Sequence, residues 1–437
     1  MRLTDDLADL ATVPAFRTLL GVRLVSQTGD GMVQAGLATL FFFQPQNMTT
    51  AAGVASALVV MLLPFSLVGP FTGPFIDRWR RRQTLLWGNL LRAGLIAMTA
   101  AVLHAVGIGP LVYVLVLLAL GVNRFLLSVL SAGLPQVIDH ERLLVANSLV
   151  PTLGGLATAA GALIGFALRL LLPAGTAQDT ASLVSAVLLY ALAALVVTRL
   201  GRDELGPERP ASEGLAQALA ATAAELVDAV RYLRLRATPA LALTTMALHR
   251  FVYGMELITI ILAARNLLAA PGDADRGLAL FGTLMGAMIA GHGLSVVLTP
   301  LAHEKLAPST WIVMCLVGGS LGQLVLVATH DQLAMTVGIL VFGTGVQGAK
   351  IAVDTIVQSD TADAYRGRAF SIYDVLFNTA ECVAAGVAVL VLPDFGWSRP
   401  AQALLVLFVW CVALWYLRGV RRLGDRPREV TGLPGQG

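Results

Sequence analysis

The chain has 437 residues, of which 57% are hydrophobic and only 13% charged, and its mean hydropathy is +0.76. A soluble protein of this size carries about a quarter charged residues, so a soluble globular fold is excluded. A formal net charge of +3 does not call for a polyanionic partner such as nucleic acid.

A helix that spans a bilayer needs ~20 apolar residues, and the chain offers twelve stretches of about that length. They lie near 17–42, 51–76, 84–107, 110–133, 143–172, 180–200, 238–267, 276–301, 310–329, 332–355, 368–393 and 399–418. Period-2 alternation is absent, which argues against a β-barrel. The expected fold is all-α and integral to a membrane, with twelve transmembrane helices. The start of the chain, with Asp5, Asp6 and Asp9, does not read as a cleavable signal.

Asp30 lies midway along the first segment. Arg23, Gln27, Asp30 and Gln34 follow i, i+4, i+7 and i+11, so they share one helix face. A polar stripe on an apolar helix belongs in the bundle interior. An ionisable residue at mid-helix costs ~2.5–3.5 kcal/mol on insertion scales and needs a partner or a wet cavity. Arg124, midway along the fourth segment, is the expected partner of Asp30. Such a pair is either a static lock between the first and fourth helices or part of a proton relay.

Between the second and third segments lies a loop with Gly73, Asp77, Arg78, Arg80, Arg81 and Arg82. Its arginine cluster marks it as cytoplasmic. Arg142, Arg199, Arg202, Arg209, Arg231, Arg234, Arg236, Arg366, Arg368, Arg421 and Arg422 fall on the same side, whereas the loops 43–50 and 173–180 are nearly free of basic residues. This positive-inside pattern puts both termini in the cytoplasm.

The fifth segment holds Pro151, Gly154, Gly155, Gly161 and Gly165, which suit close packing or a bend. Residues 201–236 then interrupt the apolar rhythm. Leu215, Leu219, Ala223, Leu226, Val230 and Leu233 recur at helical spacing, with Glu225, Asp228, Arg231 and Arg234 on other faces. This predicts an amphipathic helix, riding on the membrane surface or serving as a plain tether. Three domains follow: a six-helix half over 1–200, a linker over 201–236, and a second six-helix half with a tail over 237–437.

The two halves repeat faintly at a shift of 226 residues. Arg23, Gln27 and Asp30 align with His249, Tyr253 and Glu256, and Gly73-Pro74 with Thr299-Pro300. The second half adds Arg250 on the seventh segment, His292 on the eighth, and Asp374 and Glu381 on one face of the eleventh. Desolvation favours the protonated form of such carboxyl groups. Lys350 and Asp354 form an i, i+4 pair on the tenth, read as structural.

The spacing Gly73-x-x-x-Asp77-Arg78-x-x-Arg81-Arg82 resembles the loop between helices 2 and 3 of the major facilitator superfamily. Arg80 stands where that pattern usually has Gly. Leu120 and Arg124 resemble the family's helix-4 motif, although Leu127 and Ser128 replace its Gln and Gly. The glycines of the fifth segment resemble an antiporter motif but lack its Gly-Pro dipeptide. The starts of the fifth and eleventh segments, with Ala146-Asn147 and Arg366 to Asp374, look like a bacterial branch of macrolide and siderophore exporters.

The resemblance implies two six-helix pseudo-repeat halves and a secondary transporter in the bacterial plasma membrane. It implies export of an amphiphilic small compound by proton antiport with alternating access. Gly73, Asp77, Arg78, Arg81 and Arg82 would gate the conformational change, with Asp77 meeting the start of the eleventh helix. Asp30, Arg124, Gln27, Gln34, Glu256, Tyr253, Asp374 and Glu381 would carry proton coupling and line the cavity. An importer or lipid transporter of the same fold, and a membrane sensor that transports nothing, remain open.

No enzyme is expected. No phosphate-binding Gly-Lys-Ser/Thr loop, His-Glu-x-x-His or Cys-x-x-Cys pair is present. Cys315, Cys382 and Cys411 all sit in apolar segments. No catalytic residue, metal site or cofactor is therefore expected. The expected partners are a small-molecule substrate, protons and the lipid bilayer, around a monomer.

Overall fold

The computed structural model describes residues 12–38, 50–67, 71–76, 78–138, 143–173, 175–206, 214–270 and 273–424. Thirteen long helices account for most of them, and no strand occurs among the described residues. The helices are α1 (Pro14–Ala38), α2 (Ala51–Leu67), α3 (Arg81–Val106), α4 (Pro110–Gly133), α5 (Leu143–Leu171), α6 (Thr176–Val197) and α7 (Leu215–Leu235). Then come α8 (Ala237–Asn266), α9 (Ala274–His303), α10 (Pro308–Ala328), α11 (Gln332–Asp360), α12 (Asp363–Val391) and α13 (Arg399–Gly424). All but α7 correspond to a stretch read as apolar in the sequence.

Among the described residues ten helices, α3 to α6 and α8 to α13, are long and apolar enough to cross a membrane. The described part of α2 has 17 residues, too few on its own to span. Helix α1 has 25 residues, but its polar stripe lowers its hydropathy. Phe, Leu and Trp side chains such as Leu163, Leu171, Trp87 and Leu390 stand exposed on these helices. Lipid solvates such side chains as well as protein does, so helix association rests on close packing rather than on apolar burial.

The chain divides into two units. One runs up to Glu225 and includes Ile261–Ala279; the other comprises Leu226–Ile260 and Leu280 onward. The division cuts α7 after Glu225, α8 after Ile260 and α9 after Ala279.

In the first unit Phe16, Leu19 and Val22 of α1 pack with Leu85 of α3, Leu126 and Val129 of α4, and Val197 at the end of α6. Helices α1 and α5 cross at backbone contact. A Cβ at Gly31 would strike the carbonyl of Thr158, and one at Gly161 the carbonyl of Thr28. Only glycine permits that approach from both sides. Ser182 on α6 fastens the same stretch of α1 by donating to Met32 O at 2.6 Å.

In the second unit indole donors tie α10 to α13 and to the residues just before it. Trp410 Nε1 reaches Ser320 Oγ at 2.8 Å, and Trp397 Nε1 reaches Leu326 O at 2.7 Å. Arg399 donates to Val327 O and Ala328 O at 3.1 and 3.3 Å, satisfying carbonyls that the end of α10 leaves open. The part of α7 from Leu226 onward is docked rather than loose. It buries Ala229 and Leu233. Its Tyr232 ring stacks on Tyr365 of α12 at 4.1 Å between centroids, with planes 1° apart.

Candidate functional site

The first unit holds Asp30 at the meeting of three helices. Asp30 is 5% exposed and Arg92, on α3, is 2% exposed. Arg92 Nη2 donates to Asp30 Oδ1, and Tyr190 OH, from α6, donates to the same oxygen at 2.9 Å. Arg92 Nη1 also reaches Ser26 Oγ at 3.0 Å, and its guanidinium lies 3.9 Å from the Tyr190 ring centre. Cation, hydroxyl and aromatic face together replace the water that both charges lost.

The expected partner of Asp30 was Arg124, and the structure corrects this. Successive residues on a helix point about 100° apart. The residue that α4 turns toward Asp30 is Asn123; Arg124 sits half-buried beside it. The void bordered by Asp30, Gln34, Arg92, Asn123 and Tyr190 measures about 10 Å³. That is room for no more than a water molecule. Gln34 is exposed. Gln27 accepts from Arg23 Nε at 2.9 Å, so the stripe splits into two local pairings.

The second unit repeats the node with other chemistry. Glu256 of α8 is fully buried, as are Gln323 of α10 and Gln402 of α13. Gln323 Nε2 donates to Glu256 Oε1 at 2.7 Å, and Gln402 Nε2 to Oε2 at 3.0 Å. No cation reaches this carboxylate among the described residues.

One helical turn or more away, a charged and aromatic cluster joins α8 to α12. Arg250 forms an ion pair with Glu381. The guanidinium stands 3.9 Å from the Tyr253 ring centre and 4.7 Å from that of Phe377. Glu381 is 6% exposed on its side chain, Arg250 22%. Asp374 lies half-buried two turns before Glu381, beside buried Tyr373. Lys350 and Asp354 on α11 form their pair at 2.6 Å.

The arginine loop is anchored to helix ends. Gly73 opens a single helical turn, Gly73–Ile76, and Arg78 Nη1 closes on Pro74 O at 2.9 Å. Arg81 is nearly buried and donates to Ala132 O and Leu205 O, both at 3.1 Å. Arg82 Nη2 reaches Thr198 O at 3.4 Å. Ala132 and Thr198 sit at the C-terminal ends of α4 and α6, where carbonyls lack helical partners and attract cations. Asp77 lies outside the described residues. No group of three or more His, Cys, Asp or Glu arranged to hold a metal occurs among the described residues.

The profile of the Major Facilitator Superfamily matches residues 20–385. The chain belongs to that superfamily. An uncharacterised MFS-type transporter of Mycobacterium tuberculosis is 33% identical over 428 residues, covering 96% of this chain and 94% of that one. Its counterpart in Mycobacterium bovis matches equally. Among solved structures, the nucleoside transporter NupG superposes with a TM-score of 0.64 at 12% identity, over 92% of this chain and 98% of its own. The xylose transporter XylE from E. coli gives 0.59 at 12%, over 97% and 99%. A bacterial homologue of the iron transporter ferroportin gives 0.60 at 17%, over 94% and 98%. At these identities the superpositions speak for the fold alone. The twelve-helix superfamily fold and a non-enzymatic role in membrane transport therefore stand.

Arg92, Tyr190, Gln323 and Gln402 went unnoticed in the sequence reading. Arg92 carried the same signal as Arg124, a charge inside an apolar segment. The two Gln residues are polar groups at mid-segment in otherwise apolar helices, and the repeat register already pointed at their partner.

Proposed function

We propose that this transporter is a proton-coupled exporter of an amphiphilic small organic compound, working by alternating access in a bacterial plasma membrane with both termini cytoplasmic. The observation that supports it is the Arg250–Glu381 pair flanked by Tyr253 and Phe377. A closed ion pair beside aromatic faces offers charge and π-surface together, which suits a compound with one polar end and one aromatic body. A substrate charge that competes for either member would loosen the pair. Proton binding at a nearby carboxyl would do the same. The energy then comes from an ion gradient, since the chain carries no nucleotide-binding loop.

The test is accumulation of ethidium, an amphiphilic aromatic cation, in liposomes holding the purified protein. An acidic lumen should drive ethidium inward by antiport. Accumulation only with an alkaline lumen would instead indicate symport and an importer. Comparison of right-side-out and inverted cell vesicles then reads the direction in the membrane.

A further inference from the structure

Each unit buries one carboxylate at the same place in its fold. Asp30 sits on the first helix of its six and is held from the third and the sixth, by Arg92 and Tyr190. Glu256 sits on α8, the first of the later six, and is held from the third and the sixth, α10 and α13, by Gln323 and Gln402. The two nodes correspond, but their charge balance does not.

A guanidinium only donates hydrogen bonds and keeps its charge, so Arg92 holds Asp30 ionised. Among the described residues no such cation pairs with Glu256. Helix α10 contains no charged residue, and α13 contains none between Arg399 and Arg418. Arg399 is committed to the end of α10. From α12 the facing acid, Glu381, is closed on Arg250 of α8. From α11, Lys350 and Asp354 are closed on each other. His249 of α8 lies against Phe342 of α11, and its Nδ1 is buried without a partner.

An anion without a cation in such surroundings is costlier to bury than the neutral acid. The two amides supply what the neutral acid needs. Gln323 Oε1 and Gln402 Oε1 are both buried and accept no hydrogen bond among the described residues. An ionised Glu256 takes a bond from each amide and leaves both carbonyls orphaned. A protonated Glu256 has one O–H to give. Either amide, turned over, accepts that hydrogen through its carbonyl oxygen. The cradle is thus compatible with both protonation states, which an arginine could not be.

We propose that Glu256 is a proton-binding site of this transporter, held by Gln323 and Gln402 as a neutral acid that gives up and regains its proton during transport, while Asp30 stays ionised as a structural group. The exchange balances simply. The carboxyl O–H bond breaks, the proton passes to water, and the turned amide swings back to donate to the carboxylate. This rests on the proton-coupled reading above, so its test is chosen to separate the two.

Infrared spectra of the full-length protein in liposomes, taken from acid to alkaline pH, report protonated carboxyl groups without any substrate. The wild type should show a carboxylic-acid C=O band at neutral pH. Glu256→Gln should lose it and Asp30→Asn should keep it. Gln402→Leu should shift its frequency, because the acid loses one bonding partner; this variant also serves if Glu256→Gln folds poorly. A band that neither Glu256→Gln nor Gln402→Leu alters overturns the assignment. In the same liposomes an acidic lumen should drive ethidium accumulation by wild type but not by Glu256→Gln. Equal accumulation by both removes Glu256 from coupling while leaving proton coupling intact. A wild type indifferent to the gradient overturns the coupled reading and the exchange step with it; the band then decides only whether Glu256 is a static neutral acid.

Discussion

Replacing Asp30 or Arg92 alone strands the other charge in the core of the first unit, where both are at most 5% exposed. Breaking a buried pair by removing one partner costs about 3–5 kcal/mol. Arg92→Ala should therefore lower the unfolding temperature of the purified protein markedly. Asp30→Asn combined with Arg92→Met should recover much of the loss, because no bare charge remains. Arg124→Ala should leave the Asp30 node intact. If Arg124→Ala were the more damaging change, the pairing seen here would be wrong. The sequence announced that Asp30 needed a partner, because a mid-helix carboxylate is too costly to leave alone. It did not announce which arginine. Two apolar segments each offered one, and the choice depends on helix rotation, which neighbouring side chains set. Tyr190 gave no signal at all, since a lone tyrosine in an apolar helix is ordinary composition.

At the scale of elements, the linker helix shows how an amphipathic pattern can be legible while its docking surface is not. The stripe of Leu226, Val230 and Leu233 marked a helix with one apolar side, and α7 forms over Leu215–Leu235. The contact that fixes it, however, is made by an aromatic pair. Tyr232 stacks on Tyr365, Tyr365 OH donates to Asp228 Oδ2 at 2.9 Å, and Ala362 N donates to Tyr232 OH at 3.1 Å. Thr238 Oγ1 adds a bond to Asp360 Oδ2 at 2.7 Å. A partner more than a hundred residues away cannot be read from helical periodicity. An aromatic pair is worth about 0.5–1.5 kcal/mol beyond its buried area. Tyr232→Ala should thus speed protease cleavage within 201–236 several-fold, by roughly the factor that such an energy implies. Tyr365→Phe keeps the stack and loses one hydrogen bond, so it should fall between wild type and Tyr232→Ala. Equal cleavage of all three would mean that the stack does not hold the linker. The crossing of α1 and α5 was only half legible: the glycines of the fifth segment were visible, but Gly31 on α1, their counterpart, was not singled out.

For the whole molecule, twelve apolar stretches and an arginine loop were enough to place the chain in its superfamily, because lipid imposes helix length and charge position directly. Substrate and direction are absent from those constraints, which act on the scaffold and not on the cavity. The central claim is that movement of a compound is tied to movement of protons. The most direct measurement loads weakly buffered liposomes containing the protein with a pH-sensitive dye and imposes an ethidium gradient with no initial pH difference. Ethidium running inward should push protons outward, so the lumen should turn alkaline, and a protonophore should abolish the pH change while ethidium continues to move. Ethidium flux through the protein with a lumen pH identical to that of protein-free liposomes would contradict proton coupling.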